Sequence, residues 1–155
     1  MKLSEAIRRA SLDTSTPVER SLANRIRHIQ RSSFAFFQEG VRYWMAECFG
    51  LQIAADRTER NHRFLEEAIE LVQATGCTQS EAHQLVDYVY GRPVGDPGQE
   101  VGGVLVTLAA LCDAHGLNMA PAASAELARV WGKIDAIRAK QRSKPRFSPL
   151  PEVAP

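Results

Sequence analysis

The sequence predicts an all-α fold, a bundle of about five to seven helices, and three observations carry that prediction. Apolar side chains recur three and four residues apart through most of the chain, the period that puts them on one helical face. Cap residues and prolines precede these stretches, and glycines follow them. No strand-like alternation runs longer than four residues, and no internal repeat stands out.

Residues 4–12 read as a short helix with Ser4 as cap, broken at Asp13–Pro17. Pro17 then suits the first turn of a second helix, capped by Thr16 and running to about Gln30. Ser33 is expected to cap a third helix to about Cys48. Its stripe is Phe34, Phe37, Val41, Trp44 and Cys48, read as core, and Gly50 stops it. A helix from about Ala54 to Thr75 buries Phe64, Leu65, Ala68, Ile69, Leu71 and Val72, and Gly76 closes it.

Thr78-x-x-Glu81 is a capping box that opens a helix to about Tyr90. Within it His83 and Asp87 lie four apart, read as a surface pair because no third ligand is near. The loop from Gly91 to Gly98 is rich in turn formers. Asp96 caps the helix that follows, Pro97 takes its first position, and Gln99 completes an Asp-x-x-Gln box. This helix, about 97–115, is apolar nearly all the way round and is expected to be buried on most sides. After Gly116 a last helix is expected from Pro121 to about Lys140, burying Leu127, Val130, Trp131, Ile134 and Ile137.

Bulk composition narrows the function classes. The length of 155 residues suits one domain, and 45% hydrophobic with 24% charged residues allows a core without metal or disulfide staples. A net charge of +1 gives no field that selects nucleic acid or a membrane surface. The first 31 residues are locally basic, seven Lys/Arg against three Asp/Glu, which reads as a solvated face or a partner surface. Cys48, Cys77 and Cys112 are odd in number and widely spaced, so a reducing, cytoplasmic compartment is expected. The first residues lack the apolar segment of a secretory signal, and no apolar run reaches the roughly 18 residues of a membrane span.

The chemistry concentrates on two helices. Glu66, Glu67 and Glu70 share one face, where like charges cost an isolated helix about 0.2–0.5 kcal/mol per pair, and Arg63 offsets part of this. Glu100 is the only charge on a stripe of small residues (Gly103, Thr107, Ala110, Ala114), and a buried carboxylate there requires a partner or a cation. Two long helices joined by about 30 residues can pack side by side, so four carboxylates are expected to converge. Mg²⁺ takes one or two carboxylates together with substrate phosphates, and basic residues such as Lys133 and Arg138 suit phosphate oxygens.

Over about residues 55–142 the chain resembles the all-α nucleoside triphosphate pyrophosphohydrolases of the MazG and dUTPase-like group. Glu67-Ala-Ile-Glu70, preceded by Glu66, matches their Glu-x-x-Glu. Glu100-Val-Gly-Gly103 stands where Glu-x-x-Asp belongs, followed by the apolar run typical of that helix. Gly103 replaces the pattern's Asp, so one ligand is missing or comes from Glu66, Asp113 or a phosphate oxygen.

The resemblance implies a MazG-like four-helix core over 53–142; the segment 1–52 reads as N-terminal helices for packing or oligomer contacts, and the tail over 143–155, with four of the eight prolines and few apolar residues, reads as disordered. The resemblance also implies hydrolysis of nucleoside or deoxynucleoside triphosphates to monophosphate and pyrophosphate, with Mg²⁺ or Mn²⁺ on Glu67, Glu70 and Glu100. Glu66, Glu67 and Glu70 would be catalytic; Asn61, His62, Arg63, Lys133 and Arg138 would bind substrate. A homodimer or homotetramer is implied, with no membrane or nucleic-acid partner. The alternatives are a catalytically impaired nucleotide-binding module and a helical interaction protein with a basic N-terminal segment.

Overall fold

A computed structural model describes residues 17–142, with side chains from Ser33 onward and at Pro17 and Ser21. The helix expected at 4–12, the tail from Ser143 and most of the basic face over 17–32 lie outside the described residues. Among those described, the protein is all-α: α1 (Pro17–Ala54), α2 (Arg57–Ala74), α3 (Gln79–Tyr90), α4 (Pro97–Ala114), α5 (Met119–Trp131) and α6 (Ile134–Arg142), with no strand. The chain divides into two compact units, Met1–Trp44 and Met45–Pro155. No single described helix is long and apolar enough to cross a membrane.

Two boundaries differ from the sequence reading. The helices expected at 17–30 and 33–48 are one, because nothing between Val18 and Phe49 stops propagation; there is no proline, and Ser33 does not cap. The first real break is Gly50, whose φ of 76° and ψ of 162° suit glycine. The last expected helix is two. It starts at Asn118, whose side chain accepts from the Ala120 amide at 3.3 Å, and breaks at Gly132. Pro121 lies inside its first turn, where a missing N–H costs no helical bond.

The caps expected at Thr78 and Asp96 form, and Asp56 adds one that the sequence reading did not name. Thr78 Oγ1 accepts from the Glu81 amide at 3.3 Å while Glu81 Oε2 accepts from the Thr78 amide at 2.8 Å. Asp96 Oδ1 accepts from the Gln99 amide at 2.9 Å, and Asp56 does the same for Glu59 at 3.0 Å.

These caps reveal a repeat that the residues alone did not. The span from Asp56 to Thr78 and the span from Asp96 to Asn118 share one frame, shifted by 40 positions. Each has an Asp N-cap, an 18-residue helix, a positive-φ glycine (Gly76 at 100°, Gly116 at 65°) and a polar cap of the next helix. Both helices end in the same Schellman turn. The Cys77 amide donates to the Val72 carbonyl at 2.9 Å and the Leu117 amide to the Cys112 carbonyl at 2.8 Å. Few residues match across the shift, so a search by residue identity misses it. The axis turns by 104° from α4 to α5.

Burial differs most from expectation. Only Met45, Cys48 and Cys112 are buried among the described residues. Phe34, Phe36, Phe37 and Tyr43 of α1 are exposed, and so are Val101, Val104, Leu105 and Val106 of α4. Apolarity all round a helix states that it requires cover; among the described residues Cys112 is the one buried residue of α4.

Within the second unit, the strongest long-range tie runs from α6 to α1. Arg138 Nε donates to the Cys48 carbonyl at 2.9 Å, and its Nη2 donates to the Glu47 carbonyl. These carbonyls are orphaned where Gly50 breaks the helix, so a cation with several N–H groups satisfies both charge and hydrogen bonding. Arg60 of α2 reaches the same region, with its guanidinium 5.8 Å from the Phe49 ring centre and Nη1 3.7 Å from Met45 Sδ. Burial pushes the Arg60 guanidinium below its ordinary value, and Glu59 pulls it partly back up.

Candidate functional site

The helical period of α2 puts its acidic residues on one side and Ala68, Ile69 and Val72 on the other. The apolar side meets Ala82 and Leu85 of α3 and Leu111 of α4 around an open cleft of about 360 Å³. On the acidic side Arg63 is the organiser. It pairs with Glu59 at 3.4 Å and, more closely, with Glu66. The offset expected from Arg63 on the acidic face is thus taken up by Glu66, its i,i+3 partner.

Glu67 and Glu70 are exposed, three residues apart, and neither forms an ion pair among the described residues. An opposite charge on another helix, Arg129 of α5, senses the field of Glu67. Its guanidinium is held above its ordinary value first by a hydrogen bond from its own N–H groups to Glu126 and, more weakly, by the field of Glu67. Arg129 is bidentate to Glu126, with Nε to Oε2 at 2.6 Å. Sequence reasoning did not single out Arg129 as a charge coupled to Glu67. Nothing in residue spacing along one helix carries that information.

The other site candidates are placed as follows. Asn61 is exposed and His62 half-buried, one turn before the carboxylates. Lys133 is exposed in the Gly132 break, where its charge lowers the Glu126 carboxyl after the larger effect of Arg129. Arg138 is engaged with α1 and with Glu47 and Asp135. Glu100 is exposed rather than buried, so burial places no demand on it for a counter-charge. Its carboxylate folds back over the preceding loop, where a Cβ on Gly95 would stand 2.2 Å from its Oε1.

At the cleft α4 presents Leu111 and His115, its C-terminal end. Glu100 lies eleven residues earlier, roughly 16 Å along the helix axis. Among the described residues no group of three or more His, Cys, Asp or Glu side chains is placed to hold a metal ion. Glu67 and Glu70 on their own fit a hard cation that takes one or two carboxylates and completes its shell with water or phosphate. Gly103 has open space where a Cβ would stand.

No protein-family model, no curated protein and no solved structure matches this chain.

Proposed function

We propose that the protein hydrolyses nucleoside or deoxynucleoside triphosphates at the α–β phosphoanhydride, releasing monophosphate and pyrophosphate. The observation that carries this reading is the pair Glu67 and Glu70, exposed one turn apart on α2 and uncommitted to ion pairs among the described residues. The Glu-x-x-Glu resemblance adds the substrate class. Mg²⁺ or Mn²⁺, when bound by these two carboxylates, supplies charge neutralisation on the triphosphate and a more acidic bound water.

The remaining roles fall to the chain's own residues. Glu66, held by Arg63, orients that arginine toward the open face of α2, where Asn61 and His62 stand one turn away. Arg129 and Lys133 offer positive charge from α5 and the Gly132 break for phosphate oxygens. Arg138 is the weaker phosphate candidate because its donors already serve carbonyls of α1. The three free cysteines accord with the proposed reducing, cytoplasmic setting.

Incubation with each common NTP and dNTP plus Mg²⁺ or Mn²⁺, followed by detection of pyrophosphate, tests the reading. Turnover of at least one is expected, and none with any of them would reject it. A second reading, a nucleotide-binding module without turnover, is favoured by Gly103, which offers no ligand where the resembled pattern has Asp. It predicts tight triphosphate binding by calorimetry with no product.

A further inference from the structure

We infer that Glu59 is a positioning residue: it holds Arg63 on the Glu66 side of α2, and Glu67 stays open to a cation as a result. The consequence for a cation rests on the hydrolase reading above; the placement of Arg63 does not. Arg63 has three carboxylates within about one turn, those of Glu59, Glu66 and Glu67. At about 100° per residue, Glu59 and Glu66 lie about 40° and 60° to one side of Arg63, and Glu67 lies about 40° to the other. An arginine turned toward Glu59 therefore meets Glu66 and leaves Glu67. That is the arrangement present. Arg63 Nε stands 3.4 Å from Glu59 Oε1, its Nη1 donates to Glu66 Oε2, and Glu67 forms no ion pair among the described residues.

The order along the helix favours Glu59 as well. An acid four residues before a base is a better pair than the reverse, so Glu59–Arg63 outranks Arg63–Glu67. Glu59 is itself fixed from several directions. Its amide donates to Asp56 Oδ1 at 3.0 Å, Arg60 Nη2 lies 3.6 Å from its Oε1, and Gln141 of α6 donates to the same oxygen at 3.5 Å. The side chains of Glu59 and Arg63 are each only 18% exposed, so water competes less for them than for an ordinary surface pair. Glu67 is exposed and has no comparable anchor.

The test is a double-mutant cycle of Glu59→Gln and Arg63→Gln in the full chain. The first readout uses neither metal nor nucleotide. In the wild type, nuclear Overhauser contacts from Arg63 Hε should reach the side chains of Glu59 and Glu66. In Glu59→Gln they should reach Glu67, and an Arg63 that stays on Glu66 alone overturns the inference. The second readout is Mn²⁺ affinity by electron paramagnetic resonance at about 0.15 M salt. Glu59→Gln should weaken binding about threefold where Arg63 is present and leave it unchanged in the Arg63→Gln chain. Glu59 lies about 12 Å along the axis from Glu67, beyond the Debye length of about 8 Å, so its own field at Glu67 is largely screened. Equal weakening in both backgrounds, or none in either, overturns the inference.

Should Glu59→Gln lose its helicity, Glu59→Asp replaces it, since the shorter side chain keeps the charge but draws it back from Arg63; the same outcomes decide. A wild-type chain that binds no Mn²⁺ rejects the cation reading of Glu67 and Glu70, whereas the contacts of Arg63 still decide what Glu59 does.

Discussion

The guanidinium of Arg138 closes the end of the long first helix by donating from Nε to the Cys48 carbonyl at 2.9 Å. The two residues are 90 positions apart in the chain. Without this contact the Cys48 and Glu47 carbonyls at the Gly50 break have only water. Arg138→Ala should lower stability by about 1–2 kcal/mol, the low end for bonds to a charged group because the side chain is 37% exposed. Arg138→Lys should recover less than half, since a single ammonium lacks the planar fork. Chemical denaturation followed by circular dichroism reads both.

The glycines after α2 and α4 should respond alike. Gly76→Ala and Gly116→Ala force a Cβ into positive φ and should each cost about 1–2 kcal/mol. Neither site has a neighbour within 4 Å of the added atom, so the cost is backbone strain rather than crowding. The double variant should lose the sum of the two if the turns are independent. Thermal melts of the three variants decide this.

Acid should loosen the start of α3. Hydrogen bonds from Thr78, first its hydroxyl and then its amide, hold the Glu81 carboxyl below its ordinary value of 4.5. A depressed folded value means that the contribution is present above 4.5 and is lost as pH falls through the lower folded value. Amide exchange in the first turn of α3 should therefore quicken below that value. Thr78→Ala should remove the effect, bring the Glu81 titration observed by NMR up toward 4.5, and cost about 1 kcal/mol as a lost cap.

Within the acidic face the glutamates should not be equal. Glu67→Gln and Glu70→Gln should each cut triphosphate turnover by about 10²–10⁴-fold with helicity unchanged. Glu66→Gln should act chiefly through Arg63, raising KM more than it lowers kcat. Steady-state kinetics of the three variants, with circular dichroism as control, separates these patterns.

Helix ends were legible in the sequence where a local signal sets them. Thr78, Asp96, Gly76 and Gly116 each act within one turn, so neighbouring residues carry the information. The continuity of α1 was not legible, because Ser33 has the chemistry of a cap but a helix also runs through it at small cost. Burial failed for a different reason. The apolar run from Val101 to Leu111 carries the demand that water be excluded, but not what meets that demand, and among the described residues Val101, Val104, Leu105 and Val106 are exposed. Of the candidate site, spacing along α2 put Glu66, Glu67 and Glu70 on one face. The coupling of Arg129 to Glu67 and the exposure of Glu100 depend on the paths of loops between helices, which spacing does not encode.

The forty-residue shift relates two capped helices and the turns that follow them, whose ends match while their faces do not. Glu67 and Glu70 of the first correspond to Thr107 and Ala110 of the second. The ends are fixed by backbone geometry and admit few substitutions; the faces between them are free to diverge. One helical frame is thus used twice, with carboxylates open to solvent on the first helix and an uncharged, apolar run in their place on its sibling.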